Sequence, residues 1–316
     1  LLDGDVQGKL QGMSKQLKQV SIDTGAATSD LTDGLYQVVS AFGESAESVK
    51  QLEIAAKAAK AGNATTTDSV NMLSAVTKGY GDTSAAALQK ASDLAFLTVK
   101  LGQTSFPELA SSMGQVVPLA ATMKVSQEEL FGAMATLTGV TGGTAEVTTQ
   151  LRATMQEFLS PSSQMEKALK KMGYTSGAAA LESEGLGGIL TKLKESVKGD
   201  EVAFANLFSS IESKNAVLAL TGAQADAFAE KTAAMGEAAG ATDRAFNIQT
   251  NSVSAMASKL KNAGSVMLTS LGEKALPYVQ DAMQGLIDRM PAITETLGGM
   301  IERAGPMFGV MASGIS

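Results

Sequence analysis

The sequence contains no histidine, no cysteine and no tryptophan. Without histidine or cysteine there is no Ser-His-Asp or Cys-His catalysis, no thiol redox chemistry, no disulfide, and no zinc or haem held by those ligands. Aromatic residues make up only 4% of the chain, which speaks against sandwiches and propellers, whose cores lean on aromatic anchors. Positive charge is short as well: 25 Lys and Arg stand against 32 Asp and Glu, a formal net charge of -7. An acidic surface lacks the basic groups that a sequence-independent hold on nucleic acid requires. Long apolar runs are missing too. The longest uncharged stretches, between Glu108 and Lys124 and between Glu129 and Glu146, are interrupted by Pro118 and by Gly139, Gly142 and Gly143. Neither reaches the roughly 20 apolar residues of a spanning helix. The opening LLDGDVQGKL has neither the basic nor the apolar region of a secretory signal. Leu1 in place of Met leads to the expectation of a segment of a longer chain.

Small and flexible residues fill the space. Alanine is the commonest residue, beside 32 glycines and 16 methionines in 316 residues. Alanine is the best helix former, and methionine suits surfaces that repack. The hydrophobic fraction of 44% is that of a globular chain, and the length allows two or three domains with a sizeable core.

Helical periodicity recurs through residues 28–160 with almost no strand alternation. Leu31, Leu35, Val38, Val39 and Phe42 share a helix face. So do Leu52, Ala55, Ala56 and Ala59, with Lys57 and Lys60 turned away. Ser126 with Glu129, and Ser105 with Glu108 behind Pro107, have the spacing of capping boxes. Gly43, Gly62, Gly81, Gly102 and Gly139 stand where helices would end. The pattern predicts helices of roughly 10–16 residues joined by short turns. Ser160 and Pro161 read as a further helix start. Beyond them Met165, Ala168, Leu169 and Met172 share one face, and Phe204, Leu207, Phe208 and Ile211 another.

The C-terminal part differs in kind. Val253, Met256, Leu260, Ala263 and Met267 alternate by three and four. After a shift near Gly272 the alternation resumes at Leu276 and runs on to Met311. Pro277, Val279, Met283, Gly285, Leu286, Ile287, Asp288 and Arg289 recur two heptads later as Pro291, Ile293, Leu297, Gly299, Met300, Ile301, Glu302 and Arg303. Sustained three-four spacing marks a seam that faces another helix, within the chain or in a second one.

Chemistry-bearing patterns are sparse. There is no G-x-x-x-x-G-K-[ST]. Gly185, Gly187 and Gly188 follow no evident strand, so they read as a helix start and not as a dinucleotide loop. Glu128 with Glu129, and Glu182 with Glu184 in what reads as a Gly/Ser-rich turn, are carboxylate pairs, but spacing alone cannot set two acids across a cleft. A Ser-x-x-Lys start at Ser162 meets Met165 where the lysine belongs. Lys167, Lys170, Lys171, Lys192, Lys194 and Lys198 alternate with acids and read as solvated faces, with no aromatic interleaving for single-strand stacking.

Six pieces follow one another in order: LTDGLYQVVSA (Leu31–Ala41), LEIAAKAAKAG (Leu52–Gly62), LSAVTKGYG (Leu73–Gly81), FLTVKLGQTSFPELASSMGQVVPLAA (Phe96–Ala121), VSQEELFGAMATLTG (Val125–Gly139) and TAEVTTQLRATMQEFLSPS (Thr144–Ser162). In these pieces the chain from Leu31 to Leu159 resembles the core region of phage tail tape measure proteins, from long-tailed phages and prophage-derived tail particles. The resemblance extends through LFSS (Leu207–Ser210), with Ser209 where the family often has glycine, and LKNAGSVMLTSLGEKALPYVQ (Leu260–Gln280). It implies a structural virion protein that fills the tail-tube lumen, sets tail length during assembly and leaves ahead of the genome. The implied partners are the tail tube protein, tail tip or baseplate hub proteins and assembly chaperones. Host membrane contact at ejection is a separate expectation, and the acidic charge leads to no expectation of a sequence-specific nucleic-acid partner. The implied locations are the tail lumen and, during assembly, the host cytoplasm. An extended tape would rise about 1.5 Å per residue. Short capped helices over 28–160 instead predict a folded globule, with the ruler mainly outside it.

The expected architecture is all-α: a lead-in helix or linker over 1–27, a helical core domain over 28–160, a second helical region over 161–250, and a heptad-repeat, coiled-coil-like segment over 251–316. No residue is assigned to catalysis, to a cofactor or to a metal, and the chain is expected not to be an enzyme. Leu276, Val279, Met283, Leu286, Met290, Ile293, Leu297 and Met300 are the expected oligomer or tail-hub contact, a trimer being favoured. Two readings of other classes remain: a helical cell-wall-lytic domain and a membrane-active protein acting at host entry.

Overall fold

In the computed structural model of the protein, the residues described are 6–251 and 260–271, with 281 and 284; for residues 6–11 this extends to the backbone alone. Among them there is no strand, and the chain is all-α. The helices are α1 (Val6–Thr24), α2 (Thr28–Phe42), α3 (Ser48–Gly62), α4 (Thr66–Gly79), α5 (Ala85–Leu101), α6 (Phe106–Thr122) and α7 (Gln127–Leu137). They continue with α8 (Thr144–Leu159), α9 (Ser163–Lys171), α10 (Gly177–Ser196), α11 (Glu201–Ala205), α12 (Ile211–Thr221), α13 (Ala225–Gly236) and α14 (Ala241–Thr250). Residues 260–271 are helical as well. The chain divides into two compact units, Leu1–Asn262 and Ala263–Ser316, and α1–α14 belong to the first.

From Thr28 to Leu159 no helix exceeds 17 residues, so this stretch is a succession of short helices and not a rod. Two of them are buried on almost every side. In α3 the alanines Ala55, Ala56, Ala58 and Ala59 are all inside, and their small side chains let α2, α4, α5 and α14 close around it. In α7 every residue from Leu130 to Leu137 is buried, the pattern of a helix enclosed by others. There α13 passes so close that a Cβ on Gly132 would lie 3.0 Å from the Thr232 Cα. Pro118 sits mid-helix in α6 on an exposed face, where water can serve the carbonyl that the missing N–H leaves free.

The few aromatic rings are spent inside. Phe96 stacks on Phe106 at 5.0 Å between α5 and α6. Phe208 meets Phe158 edge-on at 6.2 Å and Phe204 at 5.5 Å, tying the stretch around α11 to α8. Each such ring contributes about 1.5–3 kcal/mol through burial.

Local signals hold in most places and fail in a few. Ser105 and Glu108 make the full capping box, and Thr65 with Asp68 makes another. The box expected at Ser126 is half made: Ser126 accepts the Glu129 N–H and its hydroxyl donates to Glu129 Oε2 at 3.4 Å, but Glu129 Oε1 serves a different helix and not the Ser126 N–H. Ser160 is the C-cap of α8 and not a helix start; Ser162, two residues on, caps α9 by accepting the Met165 N–H. Of the five end-marking glycines only Gly43 and Gly81 have positive φ. Asn63 takes the left-handed position after Gly62, and Gly102 instead makes room for the Ala135 backbone. Phe204, Leu207 and Phe208 are buried, but Ile211 is exposed, because α11 ends at Ala205 and α12 begins anew at Ile211. Lys57 does not simply face water: it pairs with Glu53 at 2.9 Å and lies over the Phe246 ring of α14.

Candidate functional site

The four acids that the sequence singles out are each engaged differently. Glu128 pairs with Lys90 at 2.7 Å. Glu182 is exposed on α10, whose first half covers what reads from sequence as a turn. Glu184 accepts the Tyr174 hydroxyl at 2.6 Å and pairs with Lys192 at 2.7 Å. The hydrogen bond from Lys192 leads in holding the Glu184 carboxyl below its ordinary range, with the Tyr174 hydroxyl next. A general acid working near neutral pH needs the opposite shift.

Glu129 and the glycine cluster form one unit. Gly185 has φ 71° and ψ 173°, which breaks α10 into two helices, a backbone that favours glycine. Just past the break, the Gly187 N–H donates to Glu129 Oε1 at 3.1 Å. The start of this second half, where a phosphate would bind a helix N-terminus, is thus occupied by the protein's own carboxylate. A cavity of about 260 Å³ beside it is lined by Glu129, Gly187, Phe228 and Thr232.

Two further carboxylates repeat the device. Asp93 on α5 is buried and accepts the N–H groups of Gly240 and Thr242 at 2.8 Å each, at the start of α14. Glu157 on α8 accepts those of Ser209 and Ser210 at 2.8 Å each, at the start of α12. Lysines serve helix C-termini in the mirror-image way. Lys231 donates to the Ala135 carbonyl of α7 at 2.9 Å, and Lys194 to the Thr221 carbonyl of α12 at 2.8 Å. Burial draws Lys231 below the usual lysine range. Each pairing places a charge against the helix end of opposite partial charge and satisfies an orphan backbone group.

The ends of α3 and α5, the start of α6 and the side of α14 bound an open groove of about 600 Å³. Phe96, Phe106 and Ile248 line it, Lys100 and Arg244 reach it, and among the described residues no carboxylate does. Such a groove suits an apolar group that carries negative charge. No group of acids that could hold a metal is found among the described residues, and no described helix is long and apolar enough to cross a membrane.

This arrangement of caps, ion pairs and packed small helices reads as architecture, and comparison with known proteins agrees. The model of the family described as phage-related minor tail protein matches residues 14–211, from α1 to the first residue of α12. The chain belongs to that family. The tail protein is also 24% identical, over 299 residues, to a protein of Clostridium phage phiCD119 described as a probable tape measure protein. The alignment covers 90% of this chain and 32% of the relative, so the chain spans about a third of the length of the curated relative it matches. No solved structure matches it. A structural role in the phage tail, and with it a place in the virion tail, follows.

In the tail protein, the expected contact residues Leu276, Val279, Met283, Leu286, Met290, Ile293, Leu297 and Met300 lie outside the described residues, as does the coiled-coil pairing of that segment. Of the earlier part of the seam, Leu260 and Met267 are exposed, as are Leu268 and Leu271 beside them. Sequence reasoning missed Asp93, Glu157 and Lys231 altogether. Asp93 lies 147 residues from Gly240, and Glu157 lies 52 from Ser209. Helix-cap patterns extend over three or four residues and carry no sign of such partners.

Proposed function

We propose that this chain is the folded globular part of a tail tape measure protein. The protein fills the lumen of the tail tube, sets tail length during assembly in the host cytoplasm, contacts the tail tip or baseplate hub, and is released when the genome is ejected. The observation that carries the reading is the similarity to a probable tape measure protein along nine-tenths of this chain. Its helices of 17 residues or fewer between Thr28 and Leu159 suit a globule, while the ruler is an extended helical stretch outside it. The tail tube protein, hub proteins and assembly chaperones are its partners. The Met/Leu seam from Leu276 to Met300 is its self-association or hub contact, a trimer being favoured, and the host membrane is met at ejection. The formal charge of -7 keeps the chain from sticking to DNA in the same channel. The protein is not an enzyme; the engagement of Glu128, Glu129 and Glu184 in ion pairs and caps supports this.

Graded in-frame insertions outside the codons for residues 28–250, with tail lengths measured by electron microscopy, test the reading. Tails should lengthen by about 1.5 Å per inserted residue. Tails of unchanged length would overturn it.

A further inference from the structure

We propose that α13 and α14 form a strap that lifts from the rest of the helical unit ahead of global unfolding, and that Asp93 is its latch. The inference stands on the fold alone and does not need the tape measure reading.

The strap buries few apolar side chains of its own. Over residues 222–251 the buried apolar side chains are Phe228, Met235, Ala238 and Phe246, whereas α7 beneath it has eight consecutive buried residues, Leu130 to Leu137. Ala241 and Ala245 pack against the core as well, and the rest of what holds it is polar. Asp93 accepts the Gly240 and Thr242 N–H groups, the hydroxyls of Ser92 and Thr242 meet at 2.7 Å, and Lys231 donates to the Ala135 carbonyl. The Thr232 hydroxyl is buried with no hydrogen-bond partner. Water can replace each of these polar bonds when the strap lifts, so the cost of separation is chiefly the apolar contact that α13 makes with α7 and α14 makes with α3 and α5.

The strap helices also depend on the core to form. In α9, α10, α11 and α12 the N-cap residues Ser162, Ser176, Asp200 and Ser210 each accept a backbone N–H through their own side chains. The N-caps of α13 and α14, Gln224 and Gly240, supply none; nor do those of α2, α3 and α8, but these helices lie within the core packing. For α14 the Asp93 carboxylate takes that place from across the interface. Losing it removes the latch and the cap in one step, so detachment and fraying of α14 are coupled. Partly buried helices held in this way open as local units with free energies below that of global unfolding. The strap lies beyond Ile211, where the family match ends, and its lifting uncovers the Gly132 face of α7 and removes the Arg244 and Ile248 side of the groove.

The lack of cysteine makes an introduced thiol an unambiguous reporter. In the full chain, Ser92→Cys places one under the strap. Ser69→Cys places one in α4, at a buried hydroxyl that has no partner to lose. Under native conditions a thiol reagent should label Ser92→Cys at least about a hundredfold faster than Ser69→Cys, because sub-global opening suffices for the first. Asp93→Asn, which keeps shape but removes charge, should speed labelling of Ser92→Cys about tenfold and leave Ser69→Cys unchanged. Hydrogen exchange on the unaltered chain should show 225–250 exchanging together before α2–α8. Equal labelling of the two reporters, equal acceleration of both by Asp93→Asn, or exchange of 225–250 only together with α2–α8 would overturn the proposal.

Discussion

A single oxygen, Glu157 Oε1, accepts the backbone N–H groups of both Ser209 and Ser210 at 2.8 Å. Ser210 is itself the N-cap of α12, so one carboxylate on α8 sets where the next helix layer begins. Beside it Phe158 meets Phe208, and Ser213 meets Thr154 at 3.4 Å. Hydrogen bonds to a charged group contribute about 1.5–3 kcal/mol. Glu157→Ala should therefore lower stability by about 2–4 kcal/mol and Glu157→Gln, which keeps an acceptor oxygen, by about 1 kcal/mol. Urea unfolding of the two variants checks this. Equal effects would mean that the charge contributes nothing.

Two glycines at helix starts should respond oppositely. A Cβ on Gly177 would lie 2.1 Å from the Phe158 carbonyl oxygen, which is backbone and cannot turn away. Gly177→Ala should cost about 1–3 kcal/mol. Gly143, the N-cap of α8 at φ -73°, has open space around it and no side chain to cap with. Gly143→Ser should stabilise by a few tenths of a kcal/mol. Thermal melts of both, side by side, would show midpoints moving in opposite directions.

Acid should weaken the fold partly through the α6 cap. The Ser105 backbone N–H leads in holding the Glu108 carboxyl below its ordinary range, helped by Thr144 and Thr104. A carboxyl depressed in the folded state adds stability that is present above its unfolded pKa of about 4.3 and lost as pH falls through the folded value. Urea midpoints should thus drop from pH 5 to pH 3, and Glu108→Gln, which does not titrate, should show a smaller drop. An identical drop in both would remove Glu108 from the account.

The seam carries its own prediction. If Leu286 and Ile293 face a second chain, light scattering on residues 1–316 should find a closed oligomer. Replacing both with Asp should return it to monomer mass, because a charge in an apolar seam is left unpaired. A wild-type chain that stays monomeric on concentration, or a variant that stays oligomeric, would end the seam assignment.

Sequence alone determined that the chain is helical, where most of its short helices run, and which faces turn inward. Leu31, Val38 and Val39, or Met165 and Leu169, are buried as their spacing predicts. The Ser105–Glu108 cap could be read directly. These are interactions over three or four residues, and the local pattern holds both partners. Tertiary structure decided the rest. Glu129 has the spacing to cap its own helix, yet it binds Gly187, 58 residues away; Ile211 fits the face of Phe208 but begins a new helix in the open. Asp93 shows no cap pattern at all until α14 is laid across α5. A charge pairs with whichever helix end the packed core brings within about 3 Å, and only the assembled layers place it there.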